Sequence, residues 1–268
     1  MSDSARILTW MADWLNGGGN LLVLTDYDGT LAPIVENPED ANLPRQVHDD
    51  LRTLARSPRT RLAVISGRDV RDLRERIGVP EAIYAGCHGL EIEGGTLSYT
   101  HPDAAAEYDR IQAISDRLNE RAASVPGMRV EPKRLAVAIH YRQVPDDELR
   151  RVEIELARAI RVEGSRLKLL RGAKVIEVLP HVAWSKGECA LWIRDAVMRE
   201  SPGPLMVLYV GDDWTDENAF ERLAGQALTV RVGTDVPVSR ADYRLADVAE
   251  VHGLFSAMAS DVAQRSAA

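Results

Sequence analysis

Short apolar runs punctuate the chain at Asn20–Thr25 (NLLVLT), Arg61–Ser66 (RLAVIS), Ala82–Ala85 (AIYA), Leu205–Val210 (LMVLYV) and Ala227–Val232 (ALTVRV). The first is short and unalternating, the pattern of a strand buried on both faces, and the later runs repeat the theme. Between the runs the apolar residues recur at helical spacing, as in Val47, Leu51 and Leu54, and again in Val70, Leu73 and Ile77. A leading helix over Ser4–Asn16 is broken by Gly17-Gly18-Gly19, and the segments Gly187–Arg199 and Glu217–Leu223 fit crossover helices. Strands alternating with helices predict an α/β fold, a doubly wound parallel sheet covered on both faces.

The middle of the chain follows another rule. A helix is predicted over Ala104–Ala123, then a strand at Leu135–Arg142 (LAVAIHYR) that puts Leu, Val, Ile and Tyr on one face and Ala, Ala, His and Arg on the other. This period of two marks a sheet with one face open to solvent or ligand. A second helix over Pro145–Val162 and a hairpin-like pair around Arg171-Gly172 complete an inserted α+β segment. The expected organisation is a core of residues 1–103 and 181–268 with an insertion over 104–180; no internal repeat is visible.

Composition narrows the partners. With 33 basic against 41 acidic residues the net charge is −8, which disfavours nucleic acid but leaves room for a small phosphorylated substrate. Cys87 and Cys189 are the only cysteines, so no disulfide framework is implied and a reducing compartment suffices. No stretch approaches the ~20 apolar residues of a membrane span, and no signal peptide is evident. The expectation is a cytoplasmic protein without a membrane partner, a monomer by default. Lysine is confined to Lys133, Lys168, Lys174 and Lys186, so each lysine in this arginine-rich chain draws attention.

The chemistry gathers where buried strands end. Asp26-Tyr27-Asp28-Gly29-Thr30 follows the first run, at the sheet edge where open α/β folds bind ligands. Two aspartates two residues apart can share a pocket, one as nucleophile and one handling protons. Gly29 lets the backbone approach an anion, and Thr30 offers a hydroxyl and an amide. Read alone, this is also an ordinary polar turn. Gly211-Asp212-Asp213-Trp214-Thr215-Asp216-Glu217 follows a later run; its carboxylates would repel one another unless a cation sat among them, and hard oxygen ligands favour Mg²⁺. The same acids would also suit a plain helix start, Asp216 and Glu217 more than Asp212. Ser66-Gly67-Arg68 could hold phosphate or act as a simple cap. Lys186 sits at a helix start, where a positive charge is locally unfavourable unless it answers an anion, although a solvated surface lysine is the commoner reading.

In this order, DxDGT, SGR, Lys and GDDxxD together resemble the haloacid dehalogenase superfamily of phosphatases. A narrower resemblance, to the trehalose-6-phosphate phosphatase family, is carried by Asp26–Pro38, Ala85–Ile92, Glu131–Arg142 and Gly172–Pro180. The resemblance implies a haloacid-dehalogenase-like core with the insertion as a cap that grips a phosphorylated disaccharide or similar glycoside. It implies Asp26 as nucleophile and Asp28 as acid/base. Ser66 and Lys186 would hold the phosphoryl group, with Gly29, Thr30, Gly67 and Arg68 lining the phosphate site. Mg²⁺ would be held by Asp26, the Asp28 carbonyl and Asp212, with Asp213 and Asp216 in support. Glu131, Lys133, Arg142, Lys174, Glu177 and His88 would be the candidates for sugar contact, although His88 reads more readily as a hydrogen-bonded structural histidine than as a catalyst.

One position departs from the family pattern. Ala173 stands where a basic residue is usual, and Lys174 comes one later. On a continuous strand Lys174 would point away from the face of Glu177 unless a bulge turned it. This keeps open a phosphatase of another glycosyl phosphate (of glucosylglycerol, mannosylglycerate, sucrose or a trehalose-like pseudo-sugar); a catalytically silent regulatory module is a separate alternative, against which every catalytic position is filled by a competent residue.

Overall fold

A computed structural model of the chain describes residues 2–161, 166–172, 174–201 and 203–267. Helix α1 (Asp3–Asn16) is capped by the Ser2 hydroxyl, which accepts from the Ala5 amide, and buries Ile7, Met11 and Leu15 at four-residue spacing. After Gly17 come β1 (Asn20–Thr25), α2 (Arg45–Arg56), β2 (Thr60–Ile65), α3 (Val70–Ile77), β3 (Ile83–Gly86), β4 (Glu91–Gly94) and β5 (Leu97–Thr100). The inserted segment carries α4 (Pro102–Ala105), α5 (Tyr108–Ala122), β6 (Arg129–Pro132), β7 (Val137–His140), α6 (Leu149–Ile160), β8 (Leu167–Gly172) and β9 (Val175–Pro180). The chain returns through α7 (Lys186–Glu200), β10 (Leu205–Gly211), α8 (Trp214–Leu223), β11 (Leu228–Val232), β12 (Tyr243–Leu245) and α9 (Val248–Ala267).

Residues up to Tyr99 and from Trp184 onward form one compact unit, and Thr100–Ala183 form a second. In the first, the strand order among the described residues is β12-β11-β10-β1-β2-β3-β4-β5. From β12 to β3 the strands are parallel, and β4 returns antiparallel on β3. Alternate residues of β1 and β2 face opposite sides, and both sides are buried. Leu21, Val23, Leu62 and Val64 pack with Ile7, Leu51, Leu73 and Phe255, while Leu22, Leu24, Ala63 and Ile65 pack with Ile193, Ala219 and Phe220. This two-sided burial is why the runs do not alternate. Since β1 pairs in parallel with both β2 and β10, Asp26, Ser66 and Asp212 leave the sheet at the same edge, around the point where the strand order reverses.

In the second unit β6-β7-β9-β8 form an antiparallel sheet. Val137, Ile139, Ile176 and Val178 face its own core, against Ile111, Ile114 and Leu118 of α5 and Val152 and Leu156 of α6. Three expectations shift here. The helix expected over 104–123 breaks at Glu107, whose backbone lies off the helix at φ −95° and ψ 4°. The strand expected to reach Arg142 ends at His140, because Tyr141–Val144 turn, with the Val144 amide on the Tyr141 carbonyl. The helix expected from Pro145 begins with a 3₁₀ turn at Asp146–Glu148; its expected end, Val162, lies outside the described residues. Among the described residues no helix is long and apolar enough to cross a membrane.

Leu22 is fully buried at the centre of β1. Leu22→Ala should destabilise the first unit by about 2–5 kcal/mol through lost burial and the cavity left behind, measurable as a lowered midpoint in urea unfolding.

Candidate active site

The turn after β1 is wound around Tyr27, whose carbonyl accepts the amides of Leu31 and Ala32 at 2.9 and 2.8 Å. Gly29 has φ +84°, and a Cβ there would lie 2.0 Å from Asp212 Oδ2, so both backbone and space demand glycine. Thr30 Oγ1 donates to Asp212 Oδ1 at 3.1 Å. Asp26 is buried, its amide on the Val210 carbonyl, and its Oδ1 lies 3.1 Å from Lys186 Nζ. Lys186 opens α7 behind the cap Ser185, whose hydroxyl accepts the Gly187 amide. The ammonium also donates to Asp216 Oδ1 at 2.9 Å, where the Tyr209 hydroxyl donates at 2.8 Å. Asp216 Oδ2 accepts the Asp213 amide at 3.0 Å as half of a capping box that starts α8.

Carboxylate oxygens of Asp26, Asp212 and Asp216 lie within 4.8 Å of one another. Burial pushes the Asp26 carboxyl well above its ordinary range; Lys186 opposes this, and Asp216, Asp212 and Asp28 add to it. Asp212 is pushed up to about 7 by burial and then by Asp216, against Lys186 and Thr30. Burial raises Asp213 as well. Lys186 would be discharged by its own burial, but Asp216 and Asp26 overturn that and raise it. The pocket thus holds more buried negative charge than one ammonium balances, and its donors are hard oxygens, a set suited to Mg²⁺. Asp216 already has both oxygens on protein donors, which leaves Asp26 and Asp212 as the carboxylates for an ion.

Ser66 is buried after β2, its hydroxyl accepting the Arg68 amide at 3.2 Å. The turn Cys87-His88-Gly89, left-handed at φ 48°, 59° and 89°, laces this loop: the His88 amide donates to the Ser66 carbonyl and the Cys87 amide to the Arg68 carbonyl, both at 2.8 Å. The Arg68 side chain reaches back to the turn after β1. Its Nε and Nη2 clasp Asp28 Oδ2 and Oδ1 at 2.6 and 2.7 Å.

In the second unit, pairing aligns Glu131, Ala138 and Glu177 across β6, β7 and β9. Two carboxylates therefore flank a small alanine on one face. Lys133 Nζ donates to Glu177 Oε1 at 2.6 Å with both residues buried, and Glu131 Oε2 meets His140 Nε2 at 2.7 Å. Lys174 lies on no strand. Gly172 pairs with Val175, so Lys174 sits in the hairpin turn at φ 66°, its Nζ 5.9 Å from the Tyr141 ring centre. The question of strand face does not arise there, and Ala173 lies outside the described residues. Arg142 is exposed in the turn after β7.

The sequence profile described as trehalose-phosphatase matches residues 24–248, from the end of β1 to the start of α9. The chain belongs to the trehalose-phosphatase family. A trehalose-phosphate phosphatase of Mycobacterium avium is 38% identical over 229 residues, 84% of this chain and 56% of that protein, so the chain spans about half the length of the curated relatives it matches. The solved structure of a trehalose-6-phosphate phosphatase related protein aligns with a TM-score of 0.78 at 23% identity, covering 91% of this chain and 99% of that one. A haloacid dehalogenase-like hydrolase from Bacteroides thetaiotaomicron aligns at 0.59 and 16% identity, over 92% and 99% of the chains. The fold is that of haloacid dehalogenase-like hydrolases.

Of the residues singled out in this trehalose-phosphatase family member, the first unit gathers Asp26, Gly29, Thr30, Lys186, Asp212, Asp213 and Asp216, and sets Asp28, Ser66, Gly67 and Arg68 on the adjoining loops. The second unit gathers Glu131, Lys133 and Glu177 and brings in His140, leaving Arg142 and Lys174 in turns. Tyr209 went unread, although a hydroxyl inside an aliphatic strand needs a partner and so carried a signal. Asp72 and Arg76, which brace Arg68, were concealed in an ordinary i, i+4 helix pattern.

Glu131 is held down to about 2: burial works to raise it, and Lys133 with His140 more than reverses that. Its folded value lies below the ordinary 4.5, so its stabilisation is present above that pH and fades as the pH falls towards about 2. Glu131→Gln should lower the urea midpoint of the second unit most at neutral pH, with the difference from wild type closing across that acid window.

Proposed function

We propose that the chain is a Mg²⁺-dependent phosphatase that hydrolyses trehalose 6-phosphate to trehalose and phosphate through an aspartyl-phosphate on Asp26. The observation that carries this reading is the buried Asp26 carboxylate, touching Lys186 and crowded by Asp212, two residues before Asp28. Its named relatives in the trehalose-phosphatase family support the substrate. The sugar would be met by Glu131, Lys133, His140 and Glu177.

In the first step an Asp26 oxygen forms a bond to phosphorus while the bond from phosphorus to the sugar oxygen breaks, and that oxygen takes a proton from Asp28. In the second, water attacks phosphorus and gives its proton to Asp28, the bond to Asp26 breaks, and phosphate leaves. Lys186, the Ser66 hydroxyl and the amides of the post-β1 turn would hold the phosphoryl oxygens. Mg²⁺, held by Asp26, Asp212 and the Asp28 carbonyl, would offset the charge of a dianion entering a pocket of carboxylates. Cys87 and Cys189 are buried and form no disulfide, which supports reading the setting as reducing and cytoplasmic.

The test is phosphate release from trehalose 6-phosphate, sucrose 6-phosphate, glucose 6-phosphate and glucosylglycerol phosphate, with Mg²⁺ and with EDTA. Turnover of trehalose 6-phosphate alone, abolished by EDTA, is expected. Turnover of another member instead would keep the chemistry and move the substrate, and no turnover would favour a regulatory module. Asp26→Asn should remove about 10³-fold or more of the activity in a folded protein. Lys133→Ala and Glu177→Ala should harm turnover of trehalose 6-phosphate more than of nitrophenyl phosphate, and equal losses would take this cluster out of sugar recognition.

A further inference from the structure

Arg68 carries a basic side chain at a phosphate site, yet its donors are committed elsewhere. Nε and Nη2 hold both oxygens of Asp28, Nη1 donates to Asp72 Oδ2 at 2.7 Å, and Nη2 also donates to the Pro38 carbonyl at 2.8 Å. One face of the guanidinium covers the Tyr27 ring, 5.1 Å from its centre. Asp72 is gripped in turn by Arg76 Nε at 2.8 and 2.9 Å, and Arg76 Nη1 donates to the carbonyls of Glu39 and Ala41. The Tyr27 hydroxyl donates to the same Ala41 carbonyl at 2.7 Å. A chain of charges thus runs from α3 to Asp28 and pins the segment around Pro38–Ala41 beside it.

A planar fork fixed at its far side differs from a mobile cation. Arg68 cannot rotate without giving up Asp72 and the Pro38 carbonyl, and the residue is itself buried. Both Asp28 oxygens face one rigid partner, so the plane of that carboxylate is set by Arg68. The Asp28 side chain is short and 38% exposed, and Arg68 is what fixes it against solvent among the described residues.

We propose that Arg68 is the positioning residue for Asp28, its guanidinium locked on Asp72 and the Pro38 carbonyl so that the Asp28 carboxylate is presented in one orientation for proton exchange. This rests on the reading of Asp28 as the group that gives a proton to the leaving sugar oxygen. Arg68 then leaves the phosphate to Lys186, Ser66 and backbone amides. Lysine at position 68 would keep the charge and lose the fork.

The experiment is a double-mutant cycle of Arg68→Lys and Asp28→Asn, read as single-turnover release of the leaving group from trehalose 6-phosphate and from nitrophenyl phosphate. Nitrophenolate departs without help from an acid, whereas a sugar alkoxide requires it. Asp28→Asn should slow sugar release about 100-fold or more with a far smaller effect on nitrophenolate. Arg68→Lys should slow sugar release about tenfold or more and nitrophenolate less than about threefold, and should add less than about twofold in the Asp28→Asn background. Asp72→Asn, which retains Arg68 but removes its brace, should show the same skew more weakly, and serves if Arg68→Lys unfolds. Equal loss on both substrates, or additivity in the cycle, would overturn the proposal while leaving Asp28 in its role. An Asp28→Asn variant without the skew would overturn the reading of Asp28 itself.

Discussion

The contact on which the site depends is the buried Lys186 ammonium, shared between Asp26 and Asp216 at 3.1 and 2.9 Å. Burying a charge is costly unless it is paired and hydrogen-bonded, and nearly every neighbouring feature meets that condition. Ser185 caps the helix that presents the lysine, Tyr209 and the Asp213 amide complete the Asp216 carboxylate, and Thr30 steadies Asp212. Glycine at 29 and 211 lets carboxylates stand where a Cβ would collide with them. The chemistry of the pocket is the remainder: negative charge that Lys186 does not cancel, available to a divalent ion.

Much of this was legible because it sits at strand ends. A run with no alternation announces a strand buried on both faces, and the polar residues just after it must lie at the sheet edge. Asp26, Ser66 and Asp212 could therefore be placed together before any coordinates. The bland reading of Asp216 was also right in part, since it is both half of a capping box and a partner of Lys186. Strands of three or four residues, such as Glu91–Gly94 and Tyr243–Leu245, are too short to display a period. Helix α9 was not anticipated, although Val251, Leu254, Phe255, Met258 and Val262 recur at helical spacing and pack in one core with α1 and α2. The partners of the Arg68 guanidinium were not legible for a physical reason: sequence shows that it is near the site, but not that it bonds Asp28, Asp72 and the Pro38 carbonyl at once.

The second unit divides its labour differently. Its own core is apolar, and its other sheet face holds the Lys133–Glu177 and Glu131–His140 pairs around Ala138. Such pairs contribute little net stability when desolvation is counted, but they hold donors and acceptors in fixed positions. That property suits the recognition of hydroxyl groups better than it suits the strength of the fold.

The position of β1 in the sheet also bears on how the molecule is made. The β6–β9 sheet is built from one uninterrupted stretch of sequence, whereas β1 must wait between β2 and a strand that begins only at Leu205. During synthesis from the N-terminus, the inserted unit can close while one edge of β1 is still open, with Leu22 and Leu24 lacking half their neighbours. Lys186 reaches Asp26 only when α7 and β10 arrive, so the nascent chain holds Asp26 without its cation and the pocket unfinished until residues beyond Lys186 have emerged. The same topology that brings distant residues together at one sheet edge delays the completion of the pocket until α7 and α8 are in place.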